Sequence, residues 1–472
     1  MSKTIFISFF FLVAMCAPVA GQASCLGQPD EALAIAKGHS AANAMGRKVS
    51  RKQALQDIDS LIFTLSEVHP NMFAVCGQAD FFAAADGIRQ QLADSVTVTD
   101  FYRLAAPLVA MIGDGHTTMW FPYDEYRANG RPRLPLAVTV HQDSTIMVDH
   151  SAEGTVPAGS ELLSVNGRSS REMVAEMMRY VSGERYFYRT DRVNGDFSAL
   201  FDMLYHADSY AVEYRPEGST AVQKATLAPA EQARPKSMAA KKQPRKRPAN
   251  YSFRLMDDGR VAVMDFRSFS DPKRMGEFAD SMFATLRREG IRDLIIDVRN
   301  NGGGNSAVGD TLLRYIAPKP FKQFGKSLAR VTPTTRRLGN RGVPAPGWYY
   351  YAGAAASPMV EPRTTAEGHY GGNVYLLTSH RTFSSASSFS WAFKYFGMGT
   401  VVGEETGGMN VSYGDVLRYR LPNSGLSCSV SWKRFWQYGA DESEIHGTLP
   451  DVAVPQAEAL DAALQLIEKS RP

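Results

Sequence analysis

Short apolar runs alternating with helical periodicities predict a multi-domain α/β protein whose C-terminal half carries a largely parallel sheet. Three observations lead there. Leu294–Val298 is an apolar run too short to span a bilayer, and it opens directly into Asn300-Asn-Gly-Gly-Gly-Asn305. Val374–Thr378 is a second such run, and at Thr382-Phe-Ser-Ser-Ala-Ser-Ser-Phe389 it gives way to an amphipathic helix. The chain has 472 residues, more than one core usually supports, so about two to four domains are expected.

In chain order, Met1–Met15 pairs one positive charge with a short apolar core. Ala17-Pro-Val-Ala-Gly-Gln-Ala23 follows with small residues. This reads as a signal peptide over residues 1–23, cleaved after Ala23, and predicts an exported protein, periplasmic or secreted. Export puts Cys25, Cys76 and Cys428 in an oxidising space, with Cys25 and Cys76 candidates for pairing. Residues 24–125 read as a helical domain: Leu55, Ile58, Leu61, Ile62 and Leu65 share one face, and Phe101, Leu104, Leu108 and Met111 another. His69, at the end of the first helix and before Pro70, reads as structural.

Residues 130–230 read as a β-rich domain, with strands at Leu136–Val140, Ile146–Asp149 and within Gly159–Gly167. Residues 231–250 form a basic linker dense in Lys, Arg and Pro. The remaining residues, 251–472, alternate strand and helix. Val261–Phe266 is a strand, Met275, Phe278, Ala279, Met282, Phe283 and Leu286 line one helical face ending at Gly290, and Thr400–Gly403 is a later strand. Phe321–Gly372, with Trp348-Tyr-Tyr-Tyr351, is long and Gly- and Pro-rich and reads either as a segment bordering or covering the cleft or as a packed surface loop. The hydrophobic content of 44% is that of a globular chain, and a net charge of +4 gives no argument for nucleic acid. No nucleotide-binding glycine motif and no Cys or His spacing for a metal is present.

The chemistry concentrates in four segments. Successive glycines at 302–304 let backbone N–H groups turn toward a developing anion. A serine at a strand-to-helix junction projects its hydroxyl where helix N–H groups favour negative charge. His116, in Met111-Ile-Gly-Asp-Gly-His-Thr117, sits on a glycine-flanked loop that can aim it at a partner. Glu442 and Glu444 precede Gly447-Thr-Leu-Pro-Asp451, a turn into a last strand.

In this order, His69-Pro-Asn-Met72, Gly113-Asp-Gly-His-Thr117, Asp297-Val-Arg-Asn-Asn-Gly-Gly-Gly304, Ser384-Ser-Ala-Ser-Ser388, Gly403-Glu-Glu-Thr-Gly407 and Gly447-Thr-Leu-Pro-Asp451 resemble the tail-specific (C-terminal processing) and tricorn-core family of serine peptidases. The resemblance runs from roughly Asp57 to Val454. It implies a crotonase/ClpP-like core over 251–472 and a PDZ-like domain over 130–230, although no Gly-Leu-Gly-Phe-like carboxylate loop is present. The lysine of the serine–lysine branch is missing, with Met409 and Asn410 in its place. The resemblance therefore points to the histidine-containing, tricorn-like branch, with Ser385 as nucleophile, His116 as base and Glu444 as the polarising carboxylate. Ser384 and Glu442 are the alternatives. Gly303 and Ala386 would supply the oxyanion-hole amides. The serine that precedes the histidine in that branch is Gly115 here, and Asp114 is a possible substitute. The implied activity is that of an exported serine endopeptidase acting on peptide or protein substrates without metal or organic cofactor. A non-catalytic binding member of the fold and a hydrolase of another acyl bond are the alternatives.

Overall fold

The structure is a computed structural model that describes residues 46–128, 133–230, 249–257, 259–339, 343–365 and 368–471. The signal segment, Cys25 and most of the basic linker lie outside the described residues. Among the described residues no helix is long and apolar enough to cross a membrane.

The N-terminal part is helical, as its periodicity requires. Helix Arg51–Val68 starts at Ser50 with a reciprocal capping box to Gln53 and buries Ala54, Ile58, Leu61, Leu65 and Val68. Helix Val98–Ala110 is capped by Thr97, whose hydroxyl accepts from the Asp100 amide. It ends at Met111, and Gly113, at φ 73°, turns the chain into the His116 loop.

The middle part is a curled antiparallel sheet over 136–227 packed on helix Tyr186–Tyr205. Its Glu161–Val165 strand turns through Asn166 and Gly167, both at positive φ, and pairs back on Arg168–Ser169. An Asn-Gly pair is what a tight hairpin turn of this hand demands.

The C-terminal part is built on a six-stranded sheet in the order 251–256, 261–266, 293–297, 373–378, 400–403, 452–453. Its first pair is antiparallel and the rest are parallel. Helices Pro272–Arg288 and Ser385–Tyr395 cover one face, burying Met275, Ala279, Met282, Phe283 and Leu286 together with Ala386, Phe389, Ala392 and Phe393. Helix Ala459–Ser470 covers the other, with Ala459, Ala463 and Ile467 against Val263, Ile295 and Leu377. Covered on both faces, the central strands are apolar and buried through their middles, at Val261–Met264, Leu294–Ile296 and Val374–Leu377, instead of alternating.

One expectation is corrected here. Residues 321–372 are no simple loop: Phe324–Val331 and Gly347–Ala352 are antiparallel partners, joined through helix Pro333–Leu338, and Phe324–Val331 also pairs with Ser427–Gln437. The aromatic run 348–351 is the strand signal, since aromatic side chains suit a half-exposed pleated surface. This second sheet has the order 347–352, 324–331, 427–437, 411–420, and Thr118–Met119 adds to it beside Cys428 and Ser429.

The largest apolar cluster also ignores the sequence divisions. It joins the N-terminal helices, the middle sheet and the 411–437 hairpin, with Cys76 and Cys428 both buried in it. Asp57, fully buried on helix Arg51–Val68, accepts from the amides of Asn423 (2.9 Å) and Ser424 (2.7 Å) and from Asn423 Nδ2 (2.9 Å). Removing that carboxylate strands buried donors, so Asp57→Ala is expected to cost about 3 kcal/mol in urea unfolding. Asp57→Asn, which keeps an acceptor, should cost less in the same titration.

Candidate active site

Two loops leave the C-terminal ends of adjacent parallel strands, 293–297 and 373–378, and are locked together. Asn301 is fully buried: its Nδ2 donates to Phe266 O (2.7 Å), its Oδ1 accepts from Gly303 N (2.9 Å), and its carbonyl accepts from Phe383 N (3.0 Å). Thr382 Oγ1 donates to Val298 O at 2.8 Å. At Gly303, with φ 91°, a Cβ would lie 2.7 Å from Ser385 N and 2.8 Å from Ser384 Cβ, so only glycine permits this approach. The glycine turn and the serine turn are therefore in direct contact.

The serines of the cluster are thereby separated. Ser384 has φ 54° and ψ −127°, a backbone state that residues with side chains rarely adopt. It stands at the N-cap of helix Ser385–Tyr395 without capping it, is half-buried, and among the described residues its hydroxyl makes no hydrogen bond. A sharp, strained strand-to-helix turn that exposes a hydroxyl is the geometry of a nucleophile elbow. Ser385 is buried, donates to Gly304 O at 2.7 Å and lies 2.9 Å from Ser306 Oγ. Ser387 Oγ donates to Thr382 O (2.7 Å), and Ser388 Oγ accepts from Gln437 Nε2 (2.7 Å). Of the two expected oxyanion amides, Gly303 N already donates to Asn301 Oδ1 and Ala386 N to Phe383 O (3.1 Å). Among the described residues, the amides of Ser385, Gly302 and Gly304 have no partner.

His116 comes to this turn through an aromatic stack. Its ring lies 4.5 Å from that of Phe383, the residue just before Ser384, and Phe383 stacks on Tyr188 at 4.4 Å and 9°. The loop that carries it is held from the second sheet: Ser429 Oγ donates to His116 O (2.8 Å), and Ser431 N to Thr117 Oγ1 (3.1 Å).

Asp114 is the centre of the loop. It is 1% exposed. Its Oδ1 accepts from His116 N at 2.9 Å, and its Oδ2 from Thr117 Oγ1 at 2.5 Å and Ser431 Oγ at 2.7 Å. His69, also fully buried, completes the set with Nε2 3.3 Å from Oδ2. The amide of Asn71 donates to His69 Nδ1 (3.1 Å), so the proton of that imidazole sits on Nε2 and points at the carboxylate. His69 is structural, as the sequence suggests, but its structure serves the site.

His116 Nδ1 is buried, 3.7 Å from Asp114 Oδ1, and among the described residues has no hydrogen-bond partner. Burial alone would raise the Asp114 carboxyl, yet the two imidazoles outweigh it and hold Asp114 well below the usual carboxylate range. Burial lowers the His116 pKa, but Asp114, with smaller contributions from Glu184 and Asp415, outweighs it and the net shift is upward. Glu444 is exposed: its contact with the site is a backbone one, its carbonyl accepting from Asn410 Nδ2 at 3.0 Å. Glu442 is taken by Trp436 Nε1 (3.2 Å) and Arg434 Nη2 (2.5 Å). Neither brings its carboxylate to His116.

Residues 260–454 match the model of peptidase family S41. The match covers the glycine and serine turns but not the His116 loop. Among solved structures, mature CPAF is similar at a TM-score of 0.60 and 15% identity, covering 89% of this chain and 99% of that one. Mature CPAF complexed with lactacystin gives 0.59, again at 15% identity, with 89% and 97% covered. The photosystem II D1 C-terminal processing protease gives 0.41 at 15% identity, with 86% and 93% covered. At this identity the CPAF likeness concerns the fold.

The upward shift of His116 means that the folded protein keeps its imidazolium to a pH above the ordinary value of about 6.5. An NMR titration of the ring should place the His116 midpoint above that value, and Asp114→Asn should bring it down. A midpoint unmoved by Asp114→Asn would remove Asp114 as the controlling charge.

Proposed function

We propose, for a chain that belongs to peptidase family S41 and is a serine-type peptidase, that it is an exported endopeptidase working through an acyl-enzyme on Ser384, with His116 as base and Asp114 as the group that orients it. The observation that carries the nucleophile is the backbone of Ser384, the one hydroxyl of the cluster held at a strained turn and left without a partner. Ser385, the other reading, has its hydroxyl engaged by Gly304 and Ser306. Glu444 is replaced in this reading because Asp114 faces the imidazole and Glu444 does not.

Nδ1 of His116 faces Asp114, which leaves Nε2 for the serine. The Ser384 proton passes to Nε2 as Oγ bonds to the scissile carbonyl carbon. The oxyanion that forms is met by the amide of Ser385, the residue after the nucleophile, and by Gly302 or Gly304 of the facing turn. Nε2–H then protonates the departing amine and the C–N bond breaks; water, deprotonated by the same nitrogen, attacks the ester carbon, and the Oγ–C bond breaks as Nε2–H returns the proton to Ser384 Oγ, releasing the acid. A donor of this kind is worth about 3 kcal/mol of barrier where one has been removed. The parallel sheet that carries the two turns is read as crotonase-like, and the sheet over 136–227 as PDZ-like, a spacer that places helix Tyr186–Tyr205 against Phe383. The N-terminal signal segment supports export.

A serine-directed fluorophosphonate and a casein-cleavage assay test this. Ser384→Ala should abolish labelling and lower cleavage by at least about 10³-fold, as for other triad serines, and Ser385→Ala should keep most of both. Labelling that survives Ser384→Ala but is lost in Ser385→Ala returns the nucleophile to Ser385. Folded protein that neither labels nor cleaves points to a binding member of the fold.

A further inference from the structure

Glu184 lies outside every motif of the sequence and outside the residues matched to the family. It stands on the turn before helix Tyr186–Tyr205, contributed by the middle part of the chain. Its Oε2 accepts from the Gly115 amide at 3.2 Å. Its Oε1 is shielded from solvent and, among the described residues, has no hydrogen-bond partner. A Cβ added at Gly115 would meet this Oε2 at 3.0 Å, Phe383 Cζ at 2.8 Å and Tyr188 Cε1 at 3.0 Å. The space beside the base that a side chain at 115 would fill is thus occupied by a carboxylate and the aromatic stack. An orphaned carboxylate oxygen in a buried place is costly unless a charge compensates it.

We infer that Glu184 is a positioning residue for His116: one oxygen anchors the amide of the preceding residue, and the other is held in reserve for the imidazolium that forms when the base takes the serine proton. The inference rests on His116 being the base. Asp114 already takes hydroxyl, amide and imidazole donors, three of them on Oδ2, whereas Glu184 Oε1 takes none among the described residues, so the second carboxylate has the larger spare capacity. The other groups facing the pair are few. Asp415 faces the imidazole from strand Val411–Arg420 and is held by Lys433 Nζ at 2.6 Å. Tyr188 and Tyr413 feel the Glu184 charge, and burial pushes both phenols up so that they stay neutral. Arg192 interacts with the Tyr188 phenol. Burial and the neighbouring Asp114 push Glu184 up to about 7, with His116 acting the other way. Its charge is therefore poised to appear in the range where the imidazole titrates.

Glu184→Gln is the discriminating variant, because the amide oxygen can still accept from Gly115 N while the charge is gone. We expect kcat/KM on casein peptides to fall roughly tenfold or more, and the acid limb of its pH profile and the NMR midpoint of His116 to move down by roughly 0.5 to 1 pH unit. Glu184→Asp keeps the charge and should keep the midpoint near that of the parent. If Glu184→Gln leaves activity and midpoint unchanged, or lowers activity without moving the midpoint, Glu184 is only a loop anchor and the inference fails. Should Glu184→Gln not fold, a carbon-13 titration of the parent's Glu184 carboxyl decides: a His116 ring shift that moves with that titration upholds the inference, and a ring shift that ignores it overturns it. Failure of the base is seen separately, as full activity in His116→Ala.

Discussion

A buried carboxylate organises this protein. Asp114 is removed from water on a short loop, and a charge in that position is tolerable only when every lone pair is met. The donors that meet it come from distant places: Thr117 and the His116 amide from its own loop, His69 from the end of the first helix, and Ser431 from the second sheet. Each donor therefore depends on a different element being in place. The helix Arg51–Val68 is tied in turn to the 423–424 turn through Asp57, and Thr118–Met119 is a strand of the second sheet. The loop that carries the imidazole is consequently a joint between parts of the chain that the sequence presents as separate domains.

The same logic assigns the serines. Five serines stand close together at 379–388, and their chemistry differs because their partners do. Ser379 donates to the Arg299 carbonyl, Ser385 to Gly304, Ser387 to Thr382, and Ser388 receives Gln437. Ser384 alone is bent to positive φ, where its side chain leaves the helix path and finds no acceptor. The bend is permitted by Gly303, where an added Cβ would lie 2.8 Å from that of Ser384, and is held by Asn301, whose carbonyl accepts from the Phe383 amide. Strain of this kind persists only where the surroundings over-determine it.

The aromatic stack of His116, Phe383 and Tyr188 supplies what the hydrogen bonds do not. It links His116, Phe383 and the helix Tyr186–Tyr205 in one column. That column brings Glu184 to Gly115, and its rings keep water from the charges, which strengthens every interaction among them. The middle part of the chain is thereby a contributor to the site and not only a spacer.

The helical faces, the Asn-Gly hairpin, the apolar parallel strands and the glycine turn were legible in the sequence, because each follows from local periodicity or from a backbone state that few residues accept. His116 was legible for the same reason: a histidine just after two closely spaced glycines, Gly113 and Gly115, is set on a loop. The strands at 324–331 and 347–352 were hidden by the glycines and prolines between them, though the aromatic run carried the signal. Which serine stands free, which carboxylate faces the imidazole, and the presence of Glu184 beside it were decided only by the tertiary structure. These depend on contacts between residues far apart in the chain, such as 115 and 184 or 303 and 384, and no local pattern encodes the distance between them.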